Sequence, residues 1–156
     1  MRFVLTMLLA ACAVHAQDER TRIAVEAVLK LQGVDLEQNA KLKETVSKLL
    51  ARTAGTAEFV KLVQHFKVPN QEEGLLAVAM KNPKSDFGVE AMRAVIASGK
   101  GDLIRKTIEG PEVEVARNCV EALGNSRTKE APPLLASIVA DEARDIAVRR
   151  DRKSVV

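Results

Sequence analysis

The stretch from Glu112 to Arg150 constrains the fold more than any other, because it holds one helix–turn–helix unit and the opening of a second. Val113, Ala116, Cys119, Val120 and Leu123 recur at three- and four-residue steps, with Glu114, Arg117, Asn118 and Glu121 between them. That spacing places the apolar set on one stripe of a helix. Gly124-Asn125 is expected to end it, since glycine adopts the left-handed conformation a helix C-terminus favours. After a polar turn from Ser126 to Glu130, Pro132-Pro133 mark the first turn of a second helix, where a missing N–H costs nothing. Leu134, Leu135, Ile138 and Val139 form its apolar stripe, Asp141-Glu142 close it, and Asp145-Ile146-Ala147-Val148-Arg149 begins the plan again. Ala116 and Ala147 match across 31 residues, and Ala94 and Ala122 across 28. Self-similarity at about thirty residues, two helices per unit, points to an all-α chain built as an α-solenoid of antiparallel hairpins, each too thin to bury its own stripe.

Before this stretch the chain repeats the plan more loosely. Residues 1–16 stand apart: Arg2 is a minimal basic start, Phe3 to Val14 is nearly all apolar, and Ala13-Val14-His15-Ala16 is an A-x-A-like cleavage site before Gln17. This is the pattern of a secretory signal peptide, and the apolar run is too short for a transmembrane span of about 20 residues. A second reading takes Leu9-Ala10-Ala11-Cys12 as a lipobox, with Cys12 a lipidated, membrane-anchoring N-terminus. Either implies export, to the periplasm in a bacterium.

From Asp18 onward the spacing predicts helix almost throughout. Ile23, Ala24, Ala27, Val28 and Leu31 line a first helix ended by Gly33, and Leu36, Leu42, Val46, Leu49 and Leu50 a second. Thr56 is placed to cap a third through Phe59, Val60, Leu62, Val63 and Phe66, and Asn70 a fourth through Leu75, Leu76, Val78, Ala79 and Met80. Ser85-Asp86 opens a fifth (Val89, Met92, Val95, Ile96) that Gly99 closes, and Asp102 to Glu109 makes a short sixth. No segment alternates as a strand would. With no linker-like composition between them, residues 17–150 read as one domain. The 47% apolar content supports a packed core, and because the only aromatics are four Phe, aliphatic residues do the packing.

The chemistry-bearing residues do not assemble into a site on paper, and no catalytic, cofactor-binding or metal-ligating residue is assigned. His15 leaves with the signal, so His65 has no second histidine to work with. With Cys12 removed or lipidated, Cys119 stands alone on an apolar stripe, where a buried structural thiol is expected. Glu72-Glu73 and Asp141-Glu142 read as solvated helix ends, and Gly99-Lys100-Gly101 lacks the spacing of a phosphate loop. The 24 basic and 21 acidic residues become 21 and 20 once residues 1–16 and 151–156 are set aside, which gives no argument for nucleic acid.

Val115 with Glu121-Ala122-Leu123-Gly124, then Glu130-Ala131, Pro133 and Leu135, then Asp145, Val148 and Arg149, resembles the HEAT repeat in its short bacterial form. Arg117 falls one residue later than the family's usual arginine, with Ala116 in its place. A short signal running straight into loose HEAT-like hairpins resembles the N-terminal region of exported planctomycete and verrucomicrobial c-type cytochromes, also described as membrane-bound dehydrogenases. That resemblance implies a scaffold preceding a haem c domain with a C-x-x-C-H site; the chain holds no such motif, so haem is expected only in a missing C-terminal domain. Asp151-Arg152-Lys153-Ser154-Val155-Val156 places charge where the repeat wants small apolar residues, and it resembles the translation of a sequencing adapter. A truncated gene is therefore one reading of residues 151–156, and a natural basic tail the other. The expected function is a non-catalytic exported scaffold for a protein partner or a following redox domain. The alternative is a complete small periplasmic binding or assembly protein acting alone.

The signal-peptide reading fixes a measurable end. Mass spectrometry of the exported chain is expected to find Gln17 as its first residue, whereas a diacylated Cys12 at the N-terminus would establish the lipoprotein route.

Overall fold

The computed structural model describes residues 19–31 and 33–139, with side-chain surroundings as far as residue 136. The signal and lipobox residues 1–16, the side chains of Ile138 and Val139, the closing Asp141-Glu142, the restart at Asp145 and the tail 151–156 lie outside the described residues. Among those described the chain is all-α, with no strand. Residues 19–29 form α1, and a 3-10 turn at Leu36–Gln38 leads into α2 (Ala40–Thr53). There follow α3 (Ala57–Phe66), α4 (Glu72–Lys81), α5 (Asp86–Ala97), α6 (Gly101–Glu109), α7 (Val113–Ser126) and α8 (Ala131–Val139).

Helices α2 to α7 bury most of the residues their sequence spacing marks. Leu42, Val46, Leu49 and Leu50 of α2 meet Phe59, Val60, Leu62 and Val63 of α3 in one core that continues through Leu75, Leu76, Val78 and Ala79 of α4. Ala91, Met92 and Val95 of α5, Ile104 and Ile108 of α6, and Ala116, Cys119, Val120 and Leu123 of α7 extend it. Sequential helices pack as α2 on α3, α4 on α5, α6 on α7 and α7 on α8. Alternate helices also touch: α3 meets α5, α5 meets α7, and α6 meets α8, while α4 reaches α7. At one end, His65 of α3 lies 3.2 Å from the Leu31 carbonyl just past α1, and Arg22 near the start of α1 feels the charge of Glu58 near the start of α3. The two helices therefore run in the same direction.

Side-chain caps open α2, α3 and α5, whereas α4, α6 and α7 start without one. The Asn39 side chain accepts from the Leu42 N–H at 3.0 Å, Ser85 Oγ from the Gly88 N–H at 3.1 Å, and Thr56 Oγ1 from the Phe59 N–H at 3.5 Å. Each satisfies a donor that has no partner inside its helix. Asp35 does the same for the 3-10 turn, through Glu37 N–H at 2.9 Å, so the second apolar run divides at Asn39 instead of forming one helix from Leu36.

Four expectations need correction. Asn70 does not cap α4; it sits at φ +60, and Gln71 occupies the cap position without a side-chain bond. Asparagine tolerates the left-handed region, and here it uses that tolerance to turn the chain after Pro69. Gly124 does not end α7, which runs on to Ser126; the left-handed residue is Arg127 at φ +51, whose N–H bonds the Gly124 carbonyl. Beyond Gly124, Ser126 is fully buried with its Oγ on the Leu123 carbonyl at 2.6 Å, and Asn125 reaches the Pro83 carbonyl at 2.9 Å, so tertiary contacts favour the extra turn. On α1 the buried residue is Val25, with Ala24, Val28 and Leu29 partly covered, while Ile23 and Leu31 are 56% and 43% exposed. Val113, placed on the α7 stripe by spacing, is also exposed.

Gly88 in the first turn of α5 is the tightest backbone approach: a Cβ there would collide with the Asn82 carbonyl. Alanine's helix preference is worth about 1 kcal/mol over glycine, but the obstacle is backbone that cannot swing away. The clash should win, so Gly88→Ala is expected to destabilise the chain by about 2–3 kcal/mol, read from the urea midpoint.

Candidate functional site

The surface feature that the packing creates is a line of three open clefts. The central one, about 680 Å³, lies where the end of α3, the turn 67–71 and the start of α4 face the second half of α5. Val63, Val68, Leu75, Ala94 and Ala97 give it apolar walls, and Gln64, Lys67, Gln71, Glu72, Arg93 and Ser98 its polar edge. A second cleft of about 610 Å³ opens against the segment 31–37 and shares Lys67 and Pro69 with the first. The third, about 410 Å³, runs between α5 and the end of α7 among Lys84, Asp86, Glu90, Asn125 and Arg127, and shares Arg93. Because neighbouring pairs share wall residues, the three clefts lie side by side along α3, α5 and α7 and are taken together as the groove.

Most polar groups along this groove are occupied structurally. Arg93 donates through Nε to the Ser126 carbonyl at 3.0 Å and through Nη1 to Glu90 at 2.8 Å, so it satisfies an orphan carbonyl at the end of α7. Lys84 pairs with Glu121 at 3.1 Å, across from the α4–α5 turn to α7. Asn125 holds the Pro83 carbonyl. Lys67 and Arg127 differ: both take left-handed backbone, at φ +49 and +51, as the C-caps of α3 and α7. For a residue with a Cβ that conformation costs roughly 1–2 kcal/mol, so the two positions hold basic side chains at the groove where glycine would fit with less strain. Sequence spacing pointed to neither residue, nor to Arg93, because it identifies buried stripes and these are exposed.

The residues weighed from the sequence are not brought together as chemistry. His65 is exposed at the end of α3, its ring edge-on to Phe66, with Nε2 3.2 Å from the Leu31 carbonyl, which requires that nitrogen to carry the proton. Glu72 and Glu73 occupy the first turn of α4, where carboxylates favour the helix dipole. Gly99-Lys100-Gly101 forms the α5–α6 turn, with Gly99 at φ +75. Among the described residues no group of three or more His, Cys, Asp or Glu is placed to hold a metal ion, and no helix is long and apolar enough to cross a membrane.

Cys119 is fully enclosed on α7, and burial pushes its thiol up from 9.0 to about 12. The neutral form is thereby favoured in the folded chain, so this contribution to stability is complete below pH 9.0 and lost as pH rises toward 12. A thiol reagent at pH 8 is expected to leave Cys119 unmodified in the native chain and to label it once denaturant unfolds α7, since the thiolate is the nucleophile. Labelling at the same rate in both states would mean that the α7 core opens readily.

No family model, curated protein or solved structure matches this chain.

Proposed function

We propose that the chain is a non-catalytic helical-repeat scaffold, an α-solenoid of hairpins that presents the groove across α3, α5 and α7 to a protein partner. Pairing α2 with α3, α4 with α5 and α6 with α7 gives three hairpins, and the second helices of these hairpins touch in succession. Contacts between one hairpin and the next, α4 on α7 included, are what stacking would produce. The observation that carries the partner-binding reading is the pair of strained basic caps, Lys67 and Arg127, at the groove. Strain retained in exposed residues is a reason to look for function, because packing gives no cause to keep it. The partner this reading favours is a redox protein or a following haem c domain in the exported compartment, on the strength of the HEAT-like resemblance.

Two measurements test it. Lys67→Gly and Arg127→Gly should each relieve strain and, after glycine's larger entropy loss, raise stability by about 0.5–1 kcal/mol while weakening partner binding. A photo-crosslinking residue at Ala97, in the central cleft, should trap a partner that one at exposed Lys48 on α2 does not. An adduct carrying covalent haem supports the cytochrome role, and one without haem supports a binding protein acting alone. Equal crosslinking from both positions would sink the groove as the binding face.

A further inference from the structure

Basic side chains stand where neighbouring clefts of the groove meet. Lys67, with Pro69, is common to the cleft at 31–37 and the central one, and Arg93 is common to the central and third clefts. To either side of Lys67 the walls are largely apolar. Val63, Val68, Leu75 and Ala94 line the central cleft, while Leu31 and Val34, 43% and 38% exposed, line the other beside Phe66. The carboxylates around the groove have work of their own. Asp35 accepts from the Glu37 N–H and from Gln38, Glu37 holds Lys43, and Glu72 and Asp86 sit in the first turns of α4 and α5, where the helix dipole favours them. The two basic residues are less tied. Among the described residues Lys67 makes no ion pair. Arg93 gives Nε to the Ser126 carbonyl, which fixes its guanidinium in place, and its ion pair with Glu90 is open to water, the two side chains being 45% and 49% exposed.

We infer that the groove takes an extended acidic peptide segment of its partner, with one carboxylate on Lys67, another on Arg93, and apolar side chains in the two clefts that Lys67 separates. This rests on the scaffold reading and names the chemistry of the segment that the groove accepts. Charge complementarity favours that occupant. A carboxylate arriving at Lys67 displaces nothing, and at Arg93 it replaces only a solvated partner on a guanidinium already oriented for it. A basic segment would meet Lys67 as a like charge and would have to draw Glu37 from Lys43 or Glu90 from Arg93. Apolar side chains set between the carboxylates cover Leu31, Val34 and the central walls, which adds burial to the ion pairs.

Alternate residues of an extended chain share a face, so the peptide Leu-Ser-Asp-Ser-Leu-Ser-Asp-amide, labelled with fluorescein, presents leucine and aspartate in turn. Its fluorescence anisotropy should rise on titration with the full chain, and asparagine in place of both aspartates should weaken binding about 3- to 20-fold, the worth of two exposed ion pairs. Lys67→Gln should weaken the aspartate peptide about 2- to 5-fold and leave the asparagine peptide unchanged, a difference that lost packing would not produce. Glu90→Gln removes the competing carboxylate and should tighten the aspartate peptide roughly 2-fold. Lys48→Gln on α2 should alter neither. Lys67→Gly, suited to the left-handed backbone, takes the place of Lys67→Gln if that variant fails to fold. No binding of the aspartate peptide, equal binding of the asparagine form, tighter binding of a form with lysine for aspartate, or a loss at Lys67 shared by both peptides would each overturn the inference. None of these outcomes bears on the Ala97 crosslink, so the scaffold reading stands or falls on that separate result.

Discussion

Everything in the described chain leans on the burial of α5. Its Ala91, Met92 and Val95 are buried where α3, α4 and α7 all pack on it, so one short helix is shared by three neighbours. The need is physical: a helix of nine to fourteen residues with a few buried side chains is marginal alone, and most helical stability comes from packing an apolar face. Small residues let the neighbours come close. Gly88 admits the Asn82 carbonyl, and Gly74 lies under the Phe59 ring, where a Cβ would stand 2.8 Å from the ring tip. Helix α5 then carries Arg93 to the end of α7, so the same element that holds the core also builds the groove wall.

The sequence made the stripes legible because burial repeats with the helix period. Leu42-Val46-Leu49-Leu50 and Phe59-Val60-Leu62-Val63 could be assigned to the core on spacing alone. Caps were legible where a short polar side chain preceded an apolar run, as at Thr56 and Ser85. Reading failed where tertiary contacts outweighed a local preference. Gly124 is a good helix terminator in isolation, yet Ser126 is buried and Asn125 has a partner 42 residues away, so α7 continues. On α1 two apolar faces competed, and the spacing of Ile23, Ala27 and Leu31 looked as core-like as that of Val25 and its neighbours. The core takes Val25 and leaves Ile23 and Leu31 exposed.

The groove was not legible at all. Its polar members sit at exposed positions with no common spacing, and Lys67, Arg93 and Arg127 belong to three different helix ends or faces. Cys119 and His65, by contrast, attract attention in the sequence as rare residue types, yet one is enclosed in the core and the other holds a backbone carbonyl. In an all-α fold packed this way, residue rarity is a poor guide to the candidate surface, because that surface is assembled from what the packed helices leave uncovered.

Packing with aliphatic side chains also shapes what the groove can hold. With four Phe and no Trp or Tyr in the chain, neighbouring helices are separated by Val, Leu, Ile and Ala, and the spaces between them open as broad clefts. On the proposed reading, binding there would come from many modest contacts distributed over α3, α5 and α7, without an aromatic anchor of the kind that dominates many interfaces. Catalysis asks for charged groups held in a dry, enclosed site, whereas Arg93, Glu90, Lys84 and Glu121 are already committed to one another or to helix ends in open clefts. On the scaffold reading proposed above, an extended partner surface would engage successive helices at once and lose little when any one contact is imperfect.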